Sequence, residues 1–480
     1  MATPFSATRW VLFGSFGSRA LAFFGQAIIL RLVSKEVFGA YGAIMAFPLM
    51  LMPLIPMGFD QLLIREKHIA RHYAMAVAWS LAMWGVALTA TTLLIAVALG
   101  WELIPPLGEA IDGRALAVLS LIFVIFATKQ SIRSMLAARL EFRTISIAEF
   151  GNGMITYFGG ALAVAFSPTL VALLVAYLAG ELFECYWLYR GRRFRPLAML
   201  RPARMWIFWH LFRKHRKFCL ANTADLTMNN MGSLLPAPLI VLWISEEANA
   251  DFSAARMLIQ LPIMLLAGAI WRVAYPTISG VTEQVLQERC LRIIGTTAAV
   301  LAPGVIWLGF FAPSLAFMLG GERYLTAAPL IQWMAVYMIL VSVFNPISSL
   351  DMIRDKPEIG LYWNIVLTGA RVGAIWYFAP MGLVHAIAAM SVASAVVWIG
   401  WAATLGWLLR CGPGAYIHAV GRFIPGWLLL AGAFWLCTLQ EGLVVPMLLS
   451  IPAGLIYLAV VMRFFPKEAS MVYRIAGMNR

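Results

Sequence analysis

Apolar runs about 20 residues long recur along the whole of this 480-residue chain, and they decide most of what it can fold into. A run of that length crosses a bilayer as a helix, because in lipid each backbone N–H and C=O must be satisfied within the segment. Hydrophobic residues make up 62% of the chain and charged residues 12%, against about half and a quarter in a soluble domain. The chain reads as an all-α polytopic membrane protein. Apolar windows give about fourteen transmembrane helices. They lie at 9–31, 38–62, 73–99, 114–138, 144–167, 169–189, 217–244, 252–275, 290–315, 324–349, 359–379, 382–409, 420–438 and 443–462.

The first run has Arg19 in its middle and no small-residue cleavage site behind it, so it is expected to remain as a spanning helix rather than leave as a signal peptide. Cys185, Cys219, Cys290, Cys411 and Cys437 show no CxxC spacing, and the six histidines show no ligand spacing. The cysteines are read as packing residues, with no metal, disulfide or cofactor expected. No GxxxxGK[ST] run is present, so ATP hydrolysis by a P-loop is excluded.

Charge sets the orientation. With the N-terminus in the cytoplasm, 26 of the 36 Lys and Arg residues fall in cytoplasmic segments and four in external loops. That is the positive-inside pattern, and it puts both termini on the cytoplasmic side. The net charge of +14 mainly reports this topology. The densest basic stretch, Arg190 to Lys217, has no acidic residue. It joins two spans, and its middle, MWIFWHLF, reads as an interfacial helix with aromatic anchors. Juxtamembrane clusters of this kind meet anionic lipid, so nucleic acid is not an expected partner.

A short connector is written twice. SKEVFGAYGA, Ser34 to Ala43, returns as SEEANADFSA, Ser245 to Ala254. Each copy follows an outward-going helix, the first and the seventh, so the halves share one orientation. That predicts a parallel repeat about an axis along the membrane normal. The expected layout is an N-lobe of six helices at 1–189, a basic cytoplasmic linker at 190–216, a C-lobe of six at 217–409, and two further helices with a tail at 410–480.

Two lobes imply a path between them, faced by the equivalent helices 1 and 7. Ser15, Arg19 and Gln26 share a face of helix 1; Asn222, Asp225 and Asn229 share a face of helix 7. Helix 2 carries Pro48, Pro53 and Pro56 and is expected to kink. Six basic residues fall inside the spans at least three residues from either end: Arg19, Lys129, Arg133, Arg256, Arg272 and Arg371. Asp60, Glu149 and Arg272 sit near cytoplasmic helix ends, where snorkelling or capping accounts for them. Glu181 and Glu184 read as members of a lobe-internal ion pair.

Arg19 sits mid-membrane, where an arginine costs roughly 2.5–3.5 kcal/mol even on the gentlest scale, so it needs a partner or water. Asp225 is one candidate partner, and cargo is the other. Lys129 and Arg133 share a face of helix 4, which is unfavourable without an anion or water between them. Arg256 and Arg371 occupy outer halves of helices 8 and 11, where they either line a path or snorkel outward. The set reads as a basic track for an anionic cargo such as a phosphate or pyrophosphate, which arginine forks bind well. An anion leaving a cell with a negative interior moves downhill by about 2.3 kcal/mol per charge per 100 mV, so export needs no ATP site on the chain.

Three elements resemble a known family: the GSFGSR run ending at Arg19, the FGAYG connector, and GFDQLLIR at the end of helix 2. They are similar to the amino-terminal signature of bacterial polysaccharide-transport proteins. These are the Wzx-type lipid-linked oligosaccharide flippases of the multidrug/oligosaccharidyl-lipid/polysaccharide (MOP) superfamily. The block from ANTADLTMNN to VAYPTISGV resembles the second lobe of that family. The resemblance implies a MATE-like fold, alternating access, no catalysis, and undecaprenyl-pyrophosphate-linked sugar repeats moved to the periplasmic leaflet of the inner membrane. It implies as partners this lipid-linked oligosaccharide, membrane lipids, and the polysaccharide polymerase and export machinery. Arg19 and Arg256 match basic positions in the related lipid II flippases; Lys129, Arg133 and Arg371 rest on the charge argument. A MATE-type multidrug or cation antiporter and a membrane glycan polymerase or ligase are the alternatives. The polymerase reading needs a sizeable external catalytic loop, and the longest, Gly100 to Gly113, offers only Glu102, Glu109 and Asp112 for acid–base work.

Overall fold

A computed structural model describes residues 4–60, 62, 70–100, 113–139, 141–190, 205–260, 281–348, 350–354 and 356–465. Arg272, the interior of the Gly100–Gly113 loop and most of the basic linker lie outside the described residues. The chain forms two compact units, Met1–Ala250 and Asp251–Arg480. Among the described residues there are helices and turns but no strand.

The first unit opens with α1 (Pro4–Leu32), α2 (Lys35–Leu51), α3 (Ala70–Gly100) and α4 (Gly113–Ala138). α5 runs as Phe142–Gly153, a π-helical segment Met154–Gly159 and a last stretch Gly160–Phe166. α6 is Leu170–Tyr189; α7 is Met205–Leu234, prolonged by Pro236–Trp243. Residues 246–260 are helical and are called α8. The second unit contains α9 (Glu283–Phe310), α10 (Ala328–Phe344), α11 (Pro357–Phe378) and α12 (Leu383–Leu408). α13 is Pro413–Gly421 followed by Ile424–Thr438, and α14 is Val445–Phe464.

Nine of the described helices are long and apolar enough to cross a membrane. α13 and α14 expose Leu428, Leu429, Leu455 and Ile456, a surface that water would not tolerate and acyl chains would. The chain is a multi-pass membrane protein.

Local chemistry explains the departures from straight helices. The second span was expected to run to residue 62 with a kink. α2 instead ends at Leu51 and gives way to the 3-10 turn Met52–Leu54. Pro53 and Pro56 lack the N–H groups a continuing helix would use. Met57 and Gly58 then take left-handed backbone angles, φ 49° and 72°. α7 starts in the aromatic stretch expected at the interface and kinks at His215 (φ −114°, ψ 18°). Before the kink, Trp206 and Trp209 are exposed while Phe208 and Leu211 are buried. That is the two-sided pattern of an interfacial helix.

The twin connectors share a local structure. Ser34 Oγ accepts from the Val37 N–H at 3.4 Å, and Ser245 Oγ accepts from the Ala248 N–H at 3.1 Å. Both serines therefore cap a helix through the N–H three residues on. The copies also touch: Asn249 Nδ2 donates to the Gly39 carbonyl at 2.6 Å. A Cβ at residue 39 would overlap the Glu246 carbonyl, so only glycine fits there.

Candidate functional site

In the first unit the basic residues of α4 face acids on α5 and α6. The Lys129 ammonium contacts Glu181 Oε2 and lies 2.8 Å from Glu184 Oε2. Arg133 reaches Glu184 Oε1 at 3.2 Å with one terminal nitrogen and pairs with Glu149 through the other. Asn152 Nδ2 donates to Glu181 (3.1 Å) and to Glu184 (2.7 Å), and its Oδ1 accepts from the Thr156 hydroxyl at 2.9 Å. Lys129, Glu181 and Glu184 are all buried. The anion expected between Lys129 and Arg133 is therefore supplied by the chain itself. The ion pair expected for Glu181 and Glu184 is this network. At Gly180 any Cβ would overlap the Thr156 hydroxyl, so a glycine on α6 lets the polar face of α5 come close.

Arg19 is half-buried on α1, within electrostatic reach of Glu149 on α5. Glu149 thus links Arg19 to the Arg133 network. Gln26 is half-buried two turns further along α1, whereas Ser15 lies in the part of the helix whose side chains are not described. On α7 the expected polar face is split. Asn222 and Asp225 are buried while Asn229 is exposed. Among the described residues the Asn222 carboxamide has no hydrogen-bond partner.

In the second unit Arg256 and Arg371, far apart in sequence, have one tyrosine in common. Tyr337 of α10 lies within electrostatic reach of both guanidinium groups. Arg371 lies 5.1 Å from the centroid of the Tyr337 ring and donates from Nε to Ser394 Oγ at 2.9 Å. Ser394 is oriented by its own bond to the Met390 carbonyl, 2.7 Å away. Arg256 lies 6.0 Å from the Phe252 ring one turn back on α8. Arg371 is only 8% exposed, so of its two expected roles outward snorkelling does not describe it. Planar guanidiniums grouped in this way offer forked donors suited to phosphate oxygens.

Sequence reasoning missed Tyr337, Ser394, Asn152 and Thr156. Their only signal was indirect: a buried charge must have polar or aromatic neighbours, but the sequence does not say which.

Long lipid-facing helices carrying buried cations place the chain among polytopic membrane proteins with a polar interior. The family described as "Polysaccharide biosynthesis protein" matches residues 28–329, and the chain belongs to it. The teichuronic acid biosynthesis protein TuaB of Bacillus subtilis (strain 168) is 21% identical over 285 residues, 56% of this chain. The match spans 58% of the length of TuaB. The lipopolysaccharide biosynthesis protein WzxC of Escherichia coli (strain K12) is 21% identical over 383 residues, 77% of this chain and 74% of WzxC. Among solved structures, the inward closed conformation of the lipid II flippase MurJ matches with a TM-score of 0.73 at 14% identity, covering 94% of this chain and 99% of MurJ. At that identity the likeness speaks for the fold. Multidrug MATE transporters of the MOP superfamily share it. The Wzx-type resemblance and the MATE-like all-α class read from the sequence both hold, and the chain is a transport protein rather than an enzyme.

Proposed function

We propose that this protein carries lipid-linked oligosaccharide repeat units, held by their undecaprenyl pyrophosphate, from the cytoplasmic to the periplasmic leaflet of a bacterial inner membrane. Support comes from its likeness to WzxC and TuaB, named for lipopolysaccharide and teichuronic acid biosynthesis, and to the lipid II flippase MurJ. The observation that carries the reading is buried Arg371, set against the Tyr337 ring and bonded through Nε to Ser394, with Arg256 within electrostatic reach of the same tyrosine. A pyrophosphate presents enough oxygens for both forks. Arg19 offers a grip of its own within the first unit. Lys129 and Arg133, bonded to glutamates, hold the helices against which α1 packs. Alternating access through a repeat of 1–189 and 217–409, with both termini cytoplasmic, completes the proposal; the matching caps at Ser34 and Ser245 support the repeat. Delivery of repeats to a polymerase and export machinery belongs to the same reading.

The test is charge reversal. In a strain lacking the gene, Arg256→Glu and Arg371→Glu at wild-type abundance should lower surface polysaccharide at least tenfold, about 1.4 kcal/mol in head-group binding. Lipid-linked oligosaccharide should then accumulate facing the cytoplasm. Both variants flipping normally would end the proposal. Wild-type protein that instead restores Na⁺- or H⁺-driven drug resistance would move it to the antiporters.

A further inference from the structure

The α4–α5–α6 network resembles an ion site more than a pair of salt bridges. Glu181 and Glu184 stand three residues apart on α6, both buried, and both turn an oxygen toward one point. Two carboxylates so close in a low-dielectric interior repel each other unless a cation lies between them. Asn152 bridges the pair from α5, and Thr156 fixes the Asn152 carboxamide. The substituent-free Gly180 lets this polar edge close in, and the Phe126 ring centroid lies 5.3 Å from the Lys129 ammonium. Carboxylate oxygens are ligands hard cations take, and the Asn152 N–H group holds these two in place.

We infer that the Lys129 ammonium is a resident cation seated between two carboxylates, holding α4, α5 and α6 together without an ion from solution. A tethered ammonium pays no entropy of association and cannot exchange with the medium. Its three donors meet two carboxylates, while the far oxygen of Glu184 is taken by Arg133. The first unit of this transporter therefore needs neither Na⁺ nor Ca²⁺ to hold these helices. Removal of the side chain leaves a site of matching charge and oxygen ligands. This inference does not depend on the nature of the cargo.

The experiment compares full-length wild type, Lys129→Ala and Lys129→Met in detergent. Melting is followed in NaCl and in N-methyl-D-glucamine chloride at equal ionic strength. Lys129→Ala has space for an ion, and its Tm should rise by about 5 °C or more in Na⁺. Lys129→Met fills the space without charge and should not respond. The wild type should melt at one temperature in both salts. A wild type stabilised by Na⁺ as much as Lys129→Ala would overturn the inference, as would a folded Lys129→Ala indifferent to Na⁺. So would a Lys129→Ala that folds in neither salt while Lys129→Met folds in both.

Discussion

In the first unit Lys129 and Arg133 meet the carboxylates of Glu149, Glu181 and Glu184, whereas in the second Arg371 meets a serine hydroxyl and a tyrosine ring. Carboxylates cancel charge, while a hydroxyl and a ring only orient it. The first arrangement is a fastener, because a cation already matched by acids has little left to offer an anionic cargo. The second is the proposed grip, where the contacts seen at Arg371 are a hydroxyl and a ring that carry no charge of their own. Substitution tests whether the first cluster is scaffold and the second grip. The largest effect should come from the fastener. Glu184 bonds both cations, so Glu184→Gln weakens one charged hydrogen bond to Lys129 and one to Arg133, leaving them Glu181 and Glu149. At roughly 1.5–3 kcal/mol for each such bond, the cost should be about 4 kcal/mol. Thermal melting of the purified protein reads this, and an unchanged Tm would erase the contrast.

A smaller effect should follow at the grip. Tyr337→Leu removes the ring beneath Arg371. A desolvated cation–π contact contributes about 2 kcal/mol, and lost packing adds about 1. Stability should fall by about 3 kcal/mol, and transport should fall further than that loss explains, because Arg256 and Arg371 lose the phenol that lies near both. If Tyr337→Leu melts lower but transports normally at matched abundance, the second cluster is scaffold too, and the comparison breaks.

Run length and charge asymmetry made the spans legible, because both follow from the bilayer. A distortion of helix 2 was legible in Pro48, Pro53 and Pro56, but that the helix ends at Leu51 was not. The π-helical segment Met154–Gly159 was not, since MITYFG carries no residue that demands it. At the sites the sequence showed that Lys129, Arg133, Glu181 and Glu184 each needed a partner, but not that Glu184 takes both cations. That choice depends on how α4, α5 and α6 pack. Tyr337 is one of 14 tyrosines, and nothing near it in sequence marks it as the phenol between two arginines. The echo of the connectors could be read, but the contact between Asn249 and Gly39 could not.

The finest test of the contrast is Ser394. Its hydroxyl donates to the Met390 carbonyl one turn back and so presents a lone pair to Arg371 Nε. Ser394→Ala removes that acceptor and should cost about 1.5 kcal/mol, the low end for a hydrogen bond to a charged group. The melting change is small, so the informative reading is transport. A guanidinium fixed at Nε holds its plane, and planar alignment is what forked recognition of phosphate requires. Flipping should drop severalfold in Ser394→Ala and recover in Ser394→Thr, whose hydroxyl can make the same backward bond within a helix. Recovery of both stability and flipping would assign Ser394 to orienting Arg371. Unchanged flipping in Ser394→Ala would leave that orientation to the Tyr337 ring, and the difference between the two units would narrow to one aromatic contact.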